Sequence, residues 1–150
     1  MSKIFFPILI LCIFPVLVFA EEAIQTQESD TLDGIEVDLK SLKIKDDIIT
    51  LKFKIRNAGT EKQSVKINFK NCYIMDQKNQ KKYYVLKDSD GKYIAGPIYD
   101  NNEGGRFWFD IQPEKSKGLW MKFPEPVDET EEITISIPEM PPFEDVKLKE

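Results

Sequence analysis

From Ile49 to Arg56 the chain alternates without a break, with Ile49, Leu51, Phe53 and Ile55 apolar and Thr50, Lys52, Lys54 and Arg56 polar. Successive side chains of a strand point to opposite faces, so a period of two specifies a half-buried β-strand with one dry face and one wet, basic face. A helix would scatter the same apolar residues around its circumference. The pattern recurs at Val65, Ile67 and Phe69, at Leu119, Met121 and Phe123, and at Ile133, Ile135 and Ile137. Upstream, Ile35, Val37 and Leu39 alternate with charged residues, and Leu42 with Ile44 continue one step out of phase. That slip predicts a β-bulge or bend near Lys40-Ser41.

Residues 71–96 hold three further β-like runs, Cys72 to Met75, Tyr83 to Leu86 and Tyr93 to Ala95, separated by polar segments rich in turn formers. They read as a meander. Residues 96–105, GPIYDNNEGG, form the longest stretch of turn residues, and Phe107 to Ile111 follow as a strand. Pro124, Pro126 and Pro138 close the later strands, and the segment around Phe143 to Val146 adds a short edge piece at most. No window from Ile35 onward carries an i, i+3, i+4, i+7 apolar stripe. The expectation is an all-β domain over residues 35–150, an immunoglobulin-like antiparallel β-sandwich of about seven to nine strands. A small barrel would leave the same trace, and the cysteine pair and tryptophan of antibody domains are missing.

Residues 1–20 open with Lys3, run apolar from Ile4 to Phe19 with breaks at Pro7 and Pro15, and finish Val18-Phe19-Ala20. This reads as a secretory signal peptide cleaved before Glu21, since the apolar run is short of the roughly 20 residues a spanning helix needs. The expected location is periplasmic or secreted, without membrane insertion after cleavage. Residues 21–34 are acidic, polar and without period, which predicts a flexible leader. Of the two cysteines, Cys12 leaves with the signal, so Cys72 is expected as a buried free thiol on a strand.

The formal charge is −5, from 21 Lys and Arg against 26 Asp and Glu, and it gives no basic surplus for nucleic-acid phosphates. Histidine is absent, which excludes His-activated nucleophiles and His-ligated zinc. Asp88-Ser89-Asp90-Gly91 invites a calcium reading, but with Gly91 at the glycine position of an EF-hand loop, Leu86 and Pro97 fall where ligands belong. A turn explains the residues. No cofactor, metal or catalytic residue is expected. An acid pair of glycosidase type is the remaining enzymatic alternative.

The aromatic residues are the better lead, because there are more than one core can face inward. Alternation places Trp108 opposite Phe107 and Phe109, and Trp120 opposite Leu119, Met121 and Phe123. The candidate partner surface is Tyr99, Asp100, Asn101, Asn102 and Trp108, where aromatic anchors flank a loop with adaptable hydrogen bonding. The competing expectation is a connector with Tyr99 and Trp108 tucked into the core edge.

Three segments together, Tyr84-Val85-Leu86-Lys87-Asp88-Ser89-Asp90-Gly91, then Ile111-Gln112-Pro113 with Leu119-Trp120-Met121-Lys122-Phe123-Pro124, then Ile133-Thr134-Ile135-Ser136-Ile137-Pro138 with Pro142-Phe143-Glu144-Asp145-Val146, carry a resemblance. The chain resembles uncharacterised bacterial cell-envelope domains of immunoglobulin-like fold, found alone or beside OmpA-type domains. It departs from the two-domain members in showing no OmpA-type segment. The resemblance implies an envelope sandwich without catalytic residues. The expected function is a non-catalytic binding or structural module whose partner is a protein or another envelope component, with a carbohydrate-binding module on exposed Trp or Tyr as the alternative.

Overall fold

The computed structural model describes residues 22–127 and 129–148; the expected signal peptide, residues 1–20, lies outside them. The described residues form an all-β fold of eleven antiparallel strands with two short 3-10 turns. One layer is a five-stranded sheet in the order β1 (Gln25–Glu28), β2 (Ile35–Lys45), β3 (Ile48–Asn57), β9 (Ser116–Pro124) and β7 (Ala95–Gly96). A four-stranded sheet has the order β11 (Phe143–Lys147), β10 (Glu132–Ser136), β5 (Tyr73–Asp76) and β6 (Lys81–Tyr84). A ribbon of β4 (Gln63–Asn68) and β8 (Arg106–Ile111) runs on through a 3-10 turn at Phe69–Asn71 into β5.

The alternation of β3 is realised as read: Ile49, Leu51, Phe53 and Ile55 are buried, and Lys52 and Lys54 are exposed. Pairing of β2 with β3 shifts register between Leu39 and Ser41, so the slip is a bulge. Its effect is to keep Leu42 and Ile44 on the same side as Leu39, opposite Leu51 and Ile49. Asp46 and Asp47, with φ of 52° and 60°, form the two-residue turn that joins these strands, and Asp tolerates the left-handed region better than most residues. Across the layers Phe53 meets Phe143 at a ring-centroid distance of 5.7 Å. One core cluster holds both layers, with Val37, Leu51 and Met121 on one side and Ile74, Ile135 and Val146 on the other. Full burial of a Phe or Ile of this kind contributes about 1.5–3 kcal/mol.

Three expectations are corrected. The expected flexible leader, residues 21–34, is not structureless over its described part, 22–34: β1 pairs with β2 from Gln25 opposite Leu39 to Glu28 opposite Glu36. On its half-buried side Gln25, Gln27 and Ser29 donate to the carbonyls of Glu144, Pro142 and Glu139, closing one edge between the layers with polar groups instead of apolar ones. Residues 71–96 do not form one meander. β5 pairs with β6, and across the Asp88–Gly91 turn Ile94 N–H returns to the Leu86 carbonyl at 2.7 Å beside a Lys87–Tyr93 bridge, but this second hairpin has crossed to the other layer, where Leu86 N–H donates to Lys122 and Ala95 pairs with Met121. The strand count exceeds nine because β1 and β11 are full members of their sheets, and β11 contributes buried Phe143 and Val146.

Candidate binding surface

The five predicted site residues fall on the segment between β7 and β8 and on β8 itself. After the Gly96-Pro97 bond, which is cis, Tyr99 N–H donates to the Arg106 carbonyl at 2.7 Å and Asp100 bridges to Arg106, so the loop folds back on the start of β8. Asp100 ties this turn together: one carboxylate oxygen accepts from Arg106 Nε at 2.6 Å, and the other accepts from the Asn102 N–H at 3.1 Å. A 3-10 turn at Asn102–Gly104 follows. Gly104 is required there, because its φ is 93° and a Cβ would stand 2.9 Å from the Tyr93 ring.

The loop brings Tyr99 onto Trp108, with ring centroids 5.3 Å apart and planes tilted by 54°. Neither ring is tucked into the core: Tyr99 is 58% exposed and Trp108 36%. The expectation of a buried connector is therefore corrected for both rings. Phe109 makes an edge contact with Tyr99 at 6.1 Å and is only half-buried, so the alternation that separates Trp108 from Phe107 is relaxed at Phe109. Trp108 sits opposite Lys66 on β4; its indole N–H donates to Ser64 at 3.0 Å, and Lys66 Nζ and the Arg106 guanidinium lie 4.9 Å and 5.1 Å from the ring centroid. With Ser64 and Asp110 these aromatic side chains line an open groove of about 370 Å³. Asn101 and Asn102 are exposed at its loop edge. The sequence missed the contribution of β4, since nothing local pairs Ser64 and Lys66 with Trp108.

Elsewhere three carboxylates, Asp88, Asp76 and Asp38, are committed to the fold. Asp88 accepts from the backbone N–H groups of Asp90 and Lys92, both at 2.9 Å, so its carboxylate shapes the turn. Burial alone would raise the pKa of Asp76, but hydrogen bonds from Thr130 and Asn79 outweigh it and hold the carboxyl below its ordinary value. Asp38 behaves alike: burial pushes it up, and donors on Arg56 and Thr26 bring it down further than burial raises it. Cys72 is a free, buried thiol whose pKa burial pushes up to about 12. Among the described residues no group of three or more Cys, Asp or Glu is placed to hold a metal ion.

No family model and no curated protein matches the chain. Among solved structures it is similar to the yjhA protein of Bacillus subtilis, with 12% identity, a TM-score of 0.45, and 75% of this chain and 78% of that one covered. It is also similar to a functionally unknown protein of Listeria monocytogenes EGD-e, with 10% identity, a TM-score of 0.41, and coverage of 83% and 87%.

Proposed function

We propose that this protein is a non-catalytic binding module of the bacterial cell envelope or secreted fraction, an immunoglobulin-like sandwich that offers Tyr99 and Trp108 to a protein partner. One observation carries the reading: two large aromatic rings stand exposed and packed on each other at a loop that is itself pinned by the Asp100–Arg106 pair. A pre-ordered aromatic anchor binds with little rotamer entropy left to lose. The ionisable groups around it are spent on one another, Asp100 on Arg106 and Asp110 on Lys62, which supports a role without chemistry. A sugar platform fits this pair less well, because the two rings are not coplanar and cations sit over the indole. The immunoglobulin-like reading is supported by two antiparallel layers around one core and by crossings between them after β6 and β9. Export is supported by the composition of residues 1–20.

The test is site-specific photo-crosslinking in the native envelope, with the crosslinker at position 99 or, as a control, at position 84. A discrete adduct from position 99 alone identifies the partner, and intact mass of the exported protein is expected to start at Glu21. With the purified partner, Tyr99→Ala is expected to weaken binding by about 1–2 kcal/mol at an unchanged melting point. Equal adducts from both positions, or a loss of affinity that merely follows stability, refutes the assignment.

A further inference from the structure

The outer face of the five-stranded sheet gathers charge that the net charge of −5 conceals. Cross-strand register places Gly96, Trp120, Lys52 and Ser41 in one row, and Lys122, Thr50 and Lys43 in the next. Lys54 stands opposite Gly118, and Lys45 opposite Ile48. Lys43, Lys45, Lys52 and Lys54 are exposed, Lys122 is half-buried, and none of the five enters an ion pair among the described residues. Of the acids on this face, Glu36 and Asp38, which stand opposite Arg56 and Lys54, are both held by Arg56 at 2.5 Å and 2.9 Å, and Glu28, opposite Glu36, lies out on the β1 edge. The rest of the face is left strongly positive.

Trp120 lies in the middle of it, 37% exposed on a strand whose other face is buried. Its indole packs on Gly96: a Cβ there would stand 2.9 to 3.0 Å from Nε1, Cε2 and Cζ2, so the absence of a side chain at position 96 makes room for the ring. Lys52 is its direct cross-strand partner, Lys54 the diagonal one, and Lys122 the next residue on the same face of β9. On a sheet lattice the backbones of those positions lie roughly 5–8 Å from that of Trp120. A flat aromatic surface ringed by ammonium groups at one saccharide's reach fits one kind of ligand: a ring with apolar C–H groups on its face and negative charges on its rim.

We propose that this face binds an acidic polysaccharide, with one sugar ring stacked on Trp120 and its carboxylates or phosphates, and those of the neighbouring residues, on Lys52, Lys54 and Lys122. Single-stranded nucleic acid fits less well, because its binding grooves stack successive bases on several aromatics and this face has one. A bilayer also fits less well, because interfacial tryptophans anchor by entering the headgroup layer and this ring packs back against the neighbouring strand at Gly96. The site stands apart from the Tyr99–Trp108 groove and does not depend on it.

The test uses the folded mature chain carrying Trp108→Phe, so that indole fluorescence reports Trp120 alone, titrated with polygalacturonate, phosphomannan and neutral dextran in 50 mM and 300 mM NaCl. Saturable quenching by polygalacturonate or phosphomannan, absent with dextran and at least fivefold weaker at the higher salt, is the expected result; which of the two binds names the charged group. Lys52→Gln with Lys54→Gln is expected to weaken binding tenfold or more, Lys→Arg at both positions to restore most of it, and Trp120→Ala to weaken it at least fivefold, measured by affinity electrophoresis. Tyr99→Ala is expected to leave it unchanged, which separates failure here from failure of the protein-partner reading. No binding to either acidic polymer, binding indifferent to Lys52, Lys54 and Trp120, or binding only to poly(dT) or to phosphatidylglycerol vesicles overturns the proposal.

Discussion

Asn57 offers the sharpest check on how the fold is held. It ends β3 at 1% exposure, and its side chain donates to the carbonyls of Glu61 at 2.7 Å and Ile111 at 2.8 Å, while its oxygen accepts from the Gly59 N–H at 3.0 Å. Those bonds tie the β3–β4 connection to the end of β8, the strand that carries Trp108. Asn57→Ala removes three hydrogen bonds, each worth about 1 kcal/mol net, and leaves the buried Ile111 carbonyl without its side-chain donor, so a loss of about 3 kcal/mol is expected. For a domain of this size that lowers the melting point by roughly 10 °C. Asn57→Asp tests the direction of the bonds. The carboxylate keeps the acceptor for Gly59 but turns an anion toward two carbonyls, so at neutral pH it is expected to destabilise more than alanine does. The protonated acid regains one donor; the excess loss relative to Asn57→Ala is therefore expected to shrink as pH falls. Urea unfolding of the three proteins between pH 7 and pH 4 measures this. An alanine variant within about 0.5 kcal/mol of wild type, or an aspartate variant equal to alanine at every pH, refutes the reading of Asn57 as a donor-driven staple.

Deleting residues 21–29 removes the β1 ladder and the Gln25, Gln27 and Ser29 bonds to the C-terminal segment, so urea unfolding is expected at lower midpoint with faster amide exchange in β2; an unchanged midpoint makes the segment an appendage. Cys72, buried and with its thiol pKa pushed up to about 12, is expected to react slowly with a thiol reagent in native buffer at pH 8 and completely in denaturant, whereas rapid native labelling places it at the surface. The Asp76 carboxyl has a native pKa below its ordinary value, so its contribution is complete above the unfolded value of about 3.9 and is lost as pH falls through the lower native one. Asp76→Asn is expected to flatten the acid limb of the stability curve, and a limb of unchanged steepness refutes that assignment.

The strands that the sequence reveals are those whose stabilisation is apolar. In β3, β9 and β10 one face is dry, and a dry face writes a period of two into the chain. β1 escapes that logic because Gln25, Gln27 and Ser29 close an edge by donating to carbonyls, and a strand held by polar side chains has the composition of a loop. The crossing after β6 escapes it as well. The Asp88–Gly91 turn returns Tyr93 and Ile94 to Lys87 and Leu86, but which layer that hairpin joins is settled by Met121 and Trp120, some 25 positions beyond Ala95 and Gly96, through contacts that leave no local mark.

The same distinction separates the two aromatic surfaces. Tyr99 and Trp108 were legible as a candidate because the turn residues between them are contiguous in the chain, yet Ser64 and Lys66, which orient the indole, come from a strand forty residues earlier by a register that only pairing creates. For Trp120 the local pattern shows a tryptophan on a wet face and, separately, a basic face on β3. Their union depends on Trp120 standing opposite Lys52 and on a glycine at position 96 beneath the ring. Net charge describes the molecule seen from beyond a Debye length, about 10 Å at 0.1 M salt, whereas a bound polymer lies within a few ångströms of one face. A chain with more acids than bases can therefore still present a cationic sheet, provided that its lysines share the parity that its core residues do not.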